Sequence, residues 1–211
     1  MKAQRHANHN HLRQALYLCC KHAMTHAQEE PGHLFPGIDK ALRPDLVVSF
    51  PVKLEMKTFA LDVTLVCPFD GSQKGDLKVP TSDQQEVEQC DKQANQKAKA
   101  KRDKYGQVCK DRNIEFVPFV FYTTGKLHQE AVKFLRLLAT HAAEHRKLSE
   151  GTLFRYYLKM LSISLVQRIG YTIQTKAVAC TTRNFRIREV LRNGNEQALM
   201  VGGSQHSRRR G

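Results

Sequence analysis

Tryptophan is absent from this chain, and none of its apolar runs approaches the ~18 uninterrupted residues a membrane-crossing helix needs. No membrane partner is expected. The opening MKAQRHANHNHLRQ has basic residues but no apolar run behind them, so it does not read as a secretory leader. A nuclear or cytoplasmic protein, not a secreted one, is the expectation. Acidic residues are scarce: none occurs before Glu29, and the whole chain has 20 against 34 Lys and Arg, a net charge of +14. The six cysteines form no C-x-x-C pair and are too sparse in 211 residues for a disulfide scaffold. There is no internal repeat, P-loop, G-x-S-x-G element or Ser/His/Asp spacing. What remains is an apolar share of 41%, enough for a core. The basic excess points to a polyanionic partner, most simply nucleic acid, or else to scattered surface lysines.

Residues 1–30 read as one helix, with Leu12, Ala15, Leu16, Cys19 and Ala23 at helical spacing. Pro31, Gly32, Pro36 and Gly37 then break the chain. Strand-like runs follow at 45–50 (DLVVSF), 59–67 (FALDVTLVC) and 114–122 (IEFVPFVFY); the stretch with Lys53, Glu55 and Lys57 is a hairpin loop or a strand end. Residues 69–91 read as a polar insertion, 84–112 as a long helix, 126–145 as a helix, and 150–168 as another with Gly170 at its end. From 181 to 211 the chain is basic and reads as a flexible tail. The order gives an α/β domain over 31–180, a small mixed sheet flanked by helices, with the first helix packed on it and extra helices at the C-terminal side. The two later strand runs are almost continuously apolar, so both sheet faces should be covered.

Two carboxylates stand out. Asp45 follows Pro44 at the start of a strand run, and Asp62 lies inside a run that otherwise wants burial. A buried carboxylate is costly unless a cation compensates it. Two on adjacent strands can converge on one hard cation such as Mg²⁺. Alternatively, Asp45 caps a turn and Asp62 pairs with a buried Lys or Arg. In the lysine-rich helix, Ala94, Ala98, Lys101, Tyr105 and Val108 fall on one face, so Lys101 sits in a sheet-facing stripe bordered by Lys97 and Lys104. Its ammonium either meets an anion there or snorkels to water.

These residues resemble the PD-(D/E)XK nuclease pattern. Arg43-Pro44-Asp45-Leu46-Val47-Val48, Leu61-Asp62-Val63-Thr64, Lys101-Arg102-Asp103-Lys104-Tyr105 and Ile114-Glu115-Phe116-Val117-Pro118 occur in order on strand, strand, helix and strand. Specifically, they resemble the restriction-like endonuclease domain of site-specific non-LTR retrotransposon proteins. Arg5-His6-Ala7-Asn8-His9 is similar to the "R-H-N" helix ahead of that nuclease, and Leu153-Phe154-Arg155 with Leu161–Arg168 resembles its closing helix. The likeness spans about residues 5–175. It implies a restriction-endonuclease-like core and Mg²⁺-dependent (or Mn²⁺-dependent) hydrolysis of a DNA phosphodiester. It further implies Asp45, Asp62 and the Val63 carbonyl as metal ligands, and Lys101, or Lys104 in second place, as the catalytic lysine. Arg43, Lys97, Lys99, Arg102 and Tyr105 are the expected DNA contacts.

The sequence departs from the common pattern at Thr64, where a lysine two residues after the second acid would stand; in the retrotransposon branch that lysine resembles one moved to the following helix. Proteins of the family carry a reverse transcriptase ahead of the nuclease, and these 211 residues hold none. A free-standing nuclease, a fragment of a decayed element and a domesticated gene all fit, with a reverse transcriptase or retroelement RNA as a further partner. The crowding of His6, His9, His11, Cys19, Cys20, His22, His26 and His33 has ligand types for zinc, but no zinc-finger spacing. A polar DNA-facing helix, or plain surface, is the other reading. Residues 91–112 carry eight basic against three acidic residues, and 183–211 seven Arg against two Glu; both can contact phosphates without reading sequence.

Overall fold

A computed structural model describes the backbone of residues 2–31, 42–66 and 83–203, and the side chains of 6–31, 42–66 and 91–178. The chain divides into two compact units, Met1–Gln167 and Arg168–Gly211. The first unit is an α/β fold. Its four-stranded sheet has the order β1 (His26–Glu29), β2 (Leu46–Val52), β3 (Glu55–Val66), β4 (Glu115–Tyr122). The first three strands run antiparallel and β4 pairs parallel to β3. A parallel neighbour needs a crossover, and helix α2 (Asp83–Lys110) provides it.

Alternation along the strands decides which helix each face meets. Val48, Phe50 and Phe59 are buried, and Phe50 stacks on Phe59 with ring centroids 5.0 Å apart. Phe134 of helix α3 (Gln129–Arg146) meets Phe59 edge-on at 5.4 Å and Phe119 at 6.4 Å. Burying rings of this size contributes roughly 1.5–3 kcal/mol each. The alternate residues Ala60, Val66, Val120 and Tyr122 lie under α2, whose Ala94, Ala98, Tyr105 and Cys109 are buried against them. Both faces are thus covered, as the apolar strand runs predict.

Helix α1 (Lys2–His22) buries the expected stripe of Leu12, Ala15, Leu16, Cys19 and Ala23. It is shorter than the 1–30 helix expected from the sequence. Met24 turns left-handed at φ 60°, and the Arg146 guanidinium donates to the His22 carbonyl at 2.7 Å and 3.1 Å, satisfying a C-terminal acceptor. His26–Glu29 then forms edge strand β1 against β2. Its sequence has no strand propensity; pairing to an open sheet edge overrides that.

The stretch around Lys53 is a tight hairpin turn between β2 and β3. Lys53 and Leu54 both have positive φ, 51° and 70°. Two such residues make a type I′ turn, where Asn-Gly is usual. A left-handed backbone costs a non-glycine residue roughly 1–2 kcal/mol.

Helix α4 (Glu150–Gly203) opens with Ser149, whose hydroxyl accepts from the Thr152 N–H at 3.2 Å. In the first unit it buries Leu153, Tyr157, Leu161 and Leu165 at four-residue intervals. The expected end at Gly170 is corrected: the helix continues through it. Gly170 keeps a negative φ, and an interior glycine costs about 1 kcal/mol without stopping a helix that has no left-handed cap. In the second unit the helix extends over 181–203, a stretch whose composition reads as flexible. Residues 204–211 of that tail lie outside the described residues, as do 67–82 of the insertion expected at 69–91. The rest of that insertion, from Asp83, is helix. No described helix is long and apolar enough to cross a membrane.

Candidate metal and phosphate site

The site is built on the β2–β3 hairpin. Its register pairs Leu46 with Leu61, and the Asp45 N–H donates to the Leu61 carbonyl at 2.9 Å. Carried one residue further, that register sets Asp45 opposite Asp62. The Asp45 carboxylate is fixed in turn, because the Val63 N–H donates to its Oδ2 at 2.6 Å. The hairpin therefore holds both acids at the same level, on the α2 side of the sheet.

Asp62 fills a gap between two apolar clusters. Ala60, Tyr105 and Cys109 form one; Val66, Ala94, Ala98, Val120 and Tyr122 form the other. Lys101 stands at the matching gap in α2, between Ala98 and Tyr105. Its ammonium reaches Asp62 Oδ2 at 2.7 Å. The Thr64 hydroxyl approaches the same oxygen at 3.4 Å. The Asp62 side chain is 5% exposed and that of Lys101 32%, so the lysine is the solvent-facing member of the pair. Burial pushes the Asp62 carboxyl above its ordinary value; the Lys101 hydrogen bond and charge oppose this, and the Asp45 charge adds to it. Burial, followed by the Asp62 charge, also raises the Tyr105 hydroxyl.

Lys101 thus meets Asp62 from the helix, and Thr64 meets it from the strand. Lys104 goes elsewhere: it is exposed, with its ammonium 4.8 Å from the centroid of the Tyr105 ring. Tyr105 corrects one expectation. It is 2% exposed, stacks on Phe116 at 5.0 Å and donates from its hydroxyl to the Arg43 carbonyl at 3.1 Å. It is a packing residue that ties α2 to the chain before Asp45, and has no surface to offer DNA. Lys97 and Lys99 are exposed on α2. Arg43 and Arg102 are also exposed, but pair with Glu30 and Glu130 respectively.

His9 joins the site without having been singled out for it. It donates from Nε2 to Asp45 Oδ2 at 3.1 Å, across 36 residues of sequence. The signal was present: His9 stands three residues before Leu12 and so prolongs the buried stripe of α1, as Lys101 interrupts that of α2. The neighbouring Cys19 and Cys20 are core thiols. Burial pushes Cys19 up to about 12 and raises Cys20 as well.

The donors fit a hard cation by type. Mg²⁺ takes one or two carboxylates and completes its shell with water and phosphate oxygens. Among the described residues no three His, Cys, Asp or Glu side chains gather as a ligand group, so protein donors would be few here. The chain matches no protein-family model, and no curated protein is significantly similar to it.

Proposed function

We propose that this chain is a Mg²⁺-dependent DNA endonuclease with a restriction-endonuclease-like core, derived from a non-LTR retrotransposon protein and nicking target DNA. The observation that carries this reading is Asp45 and Asp62 held level on one hairpin, with the Lys101 ammonium 2.7 Å from Asp62. Asp45, Asp62 and the Val63 carbonyl would hold Mg²⁺ or Mn²⁺, which would stabilise charge on the phosphate and acidify an attacking water. The chain's own residues supply the rest. The Val63 N–H and His9 fix the Asp45 carboxylate in one orientation. The burial of Asp62 concentrates negative charge where little water screens it. An ammonium has three donors, and the pair with Asp62 uses one; the others can orient a water or meet a phosphate oxygen. Lys97 and Lys99, exposed on the same helix, can hold the DNA backbone without reading its sequence. A reverse transcriptase or retroelement RNA is a compatible partner on the same reading.

A second reading has its own support. Within the chain each acid already has a partner, Asp62 in Lys101 and Asp45 in His9 and the Val63 N–H. That state suits a non-catalytic nucleic-acid-binding descendant of the same fold. Supercoiled-plasmid nicking separates the two. Purified protein in Mg²⁺ should nick the plasmid, and EDTA should abolish this, as should Asp62→Ala with the fold retained by circular dichroism. Nicking unaffected by Asp62→Ala would remove the site from consideration; binding with no nicking in Mg²⁺ or Mn²⁺ would favour the second reading.

A further inference from the structure

The tip of the β2–β3 hairpin combines two features that burial does not explain. Leu54 is fully exposed, and Met56 is 69% exposed. Pro51, its cross-strand partner, is exposed beside it. The same tip holds Lys53 and Leu54 in left-handed backbone that Gly or Asn would adopt with less strain. A strained turn that presents an apolar side chain to water is a motive to look for a ligand. Around it Lys53 and Lys57 outnumber Glu55, a local net charge of +1 on a chain of net charge +14, and this balance suits a polyanion. Leu, Met and Pro are side-chain types that wedge between base steps from the minor groove.

Position strengthens the case. Asp45 and Asp62 lie at one end of the hairpin and Leu54 at the other. Seven to eight strand residues separate them, roughly 25 Å at ~3.4 Å per residue. That equals about seven base steps of duplex at ~3.4 Å each. The geometry points to the hairpin tip as a DNA wedge: Leu54, flanked by Met56 and Pro51, inserts between base pairs of a duplex whose backbone lies at Lys101, beside the carboxylates. This rests on the nucleic-acid reading of the site, but not on its being catalytic.

The test uses the full chain, an end-labelled 40-base-pair duplex at low salt, and three proteins: wild type, Leu54→Gly and Leu54→Met. Permanganate oxidation reports unstacked thymines, anisotropy the affinity, and plasmid nicking in Mg²⁺ runs alongside. Wild type and Leu54→Met should both produce reactive thymines and bind within about two-fold of each other, since both side chains can wedge. Leu54→Gly, relieved of strain, should melt at higher temperature yet bind about ten-fold more weakly and leave the thymines unreactive. Equal affinity for all three, or no reactive thymine with wild type, overturns the wedge. Unchanged duplex affinity of Leu54→Gly with lost self-association in sedimentation overturns it in favour of a protein partner. Reactive thymines without any nicking would uphold the wedge and sink the nuclease reading; nicking unchanged across all three, with equal binding, would do the reverse.

Discussion

The carboxylate of Asp45 stabilises the charged form of the His9 imidazole. The hydrogen bond to Asp45 raises the His9 pKa above its ordinary value, against a smaller opposing effect of burial. The folded chain therefore holds this proton more tightly than the unfolded chain. Its stabilising contribution is complete below about pH 6.5, the unfolded value, and is lost as pH rises through the raised folded value. His9→Gln should remove that dependence. The melting-temperature gap between wild type and His9→Gln should be wider at about pH 5.5 than at about pH 8.5. A gap that does not change with pH would mean that the pair contributes nothing through its charge. Asp62 shows how far single residues were legible. Its position in an apolar run marked it as a carboxylate needing a cation, and Lys101 is that cation. His9 was less legible, because one histidine among eight His and Cys residues in the first 33 carries little information until α1 is laid against the hairpin.

At the scale of elements, α2 sets the geometry through small residues. Ala94 and Ala98 let the helix lie close to β3 and β4, and that closeness is what brings Lys101 within 2.7 Å of Asp62. Ala98→Leu should overpack this contact, costing about 1–3 kcal/mol in urea unfolding, and should impair any nicking by more than its stability loss implies. Activity that merely follows the folded fraction would argue against a positioning role for the helix. The face of α2 was legible because its period is strict over four turns. Strand β1 was not: the four residues His26–Glu29, three of them polar, have no pattern of their own and become a strand only because β2 offers an edge. The extension of α4 past Gly170 was hidden for a related reason, since a glycine marks a helix end only where the backbone turns left-handed.

Over the whole molecule the charge of +14 outweighs any single contact. Each phosphate neutralised by a lysine or arginine releases a counterion, so affinity for DNA should fall steeply with salt. If six or more phosphates are contacted, Kd measured by anisotropy should rise about 10³-fold or more between 50 mM and 200 mM salt. A salt-independent Kd, or no binding even at low salt, would point to a protein partner instead. The α/β class was legible from the order of apolar runs, and the sheet order was not, because nothing in a strand's own sequence states which neighbour it will pair with.

The placement of the acids and the lysine has a consequence for how the molecule assembles. Asp45 and Asp62 come together through a hairpin, a contact between neighbours in sequence. Lys101 arrives only after the chain from β3 through α2 has closed back on the sheet. Local contacts form at lower loop-closure entropy than distant ones. On that ground the folding chain is expected to bring two like charges together before the counter-charge is in reach. Acidic conditions that neutralise Asp62 would ease that early step, before the crossover helix completes the Asp62–Lys101 pair.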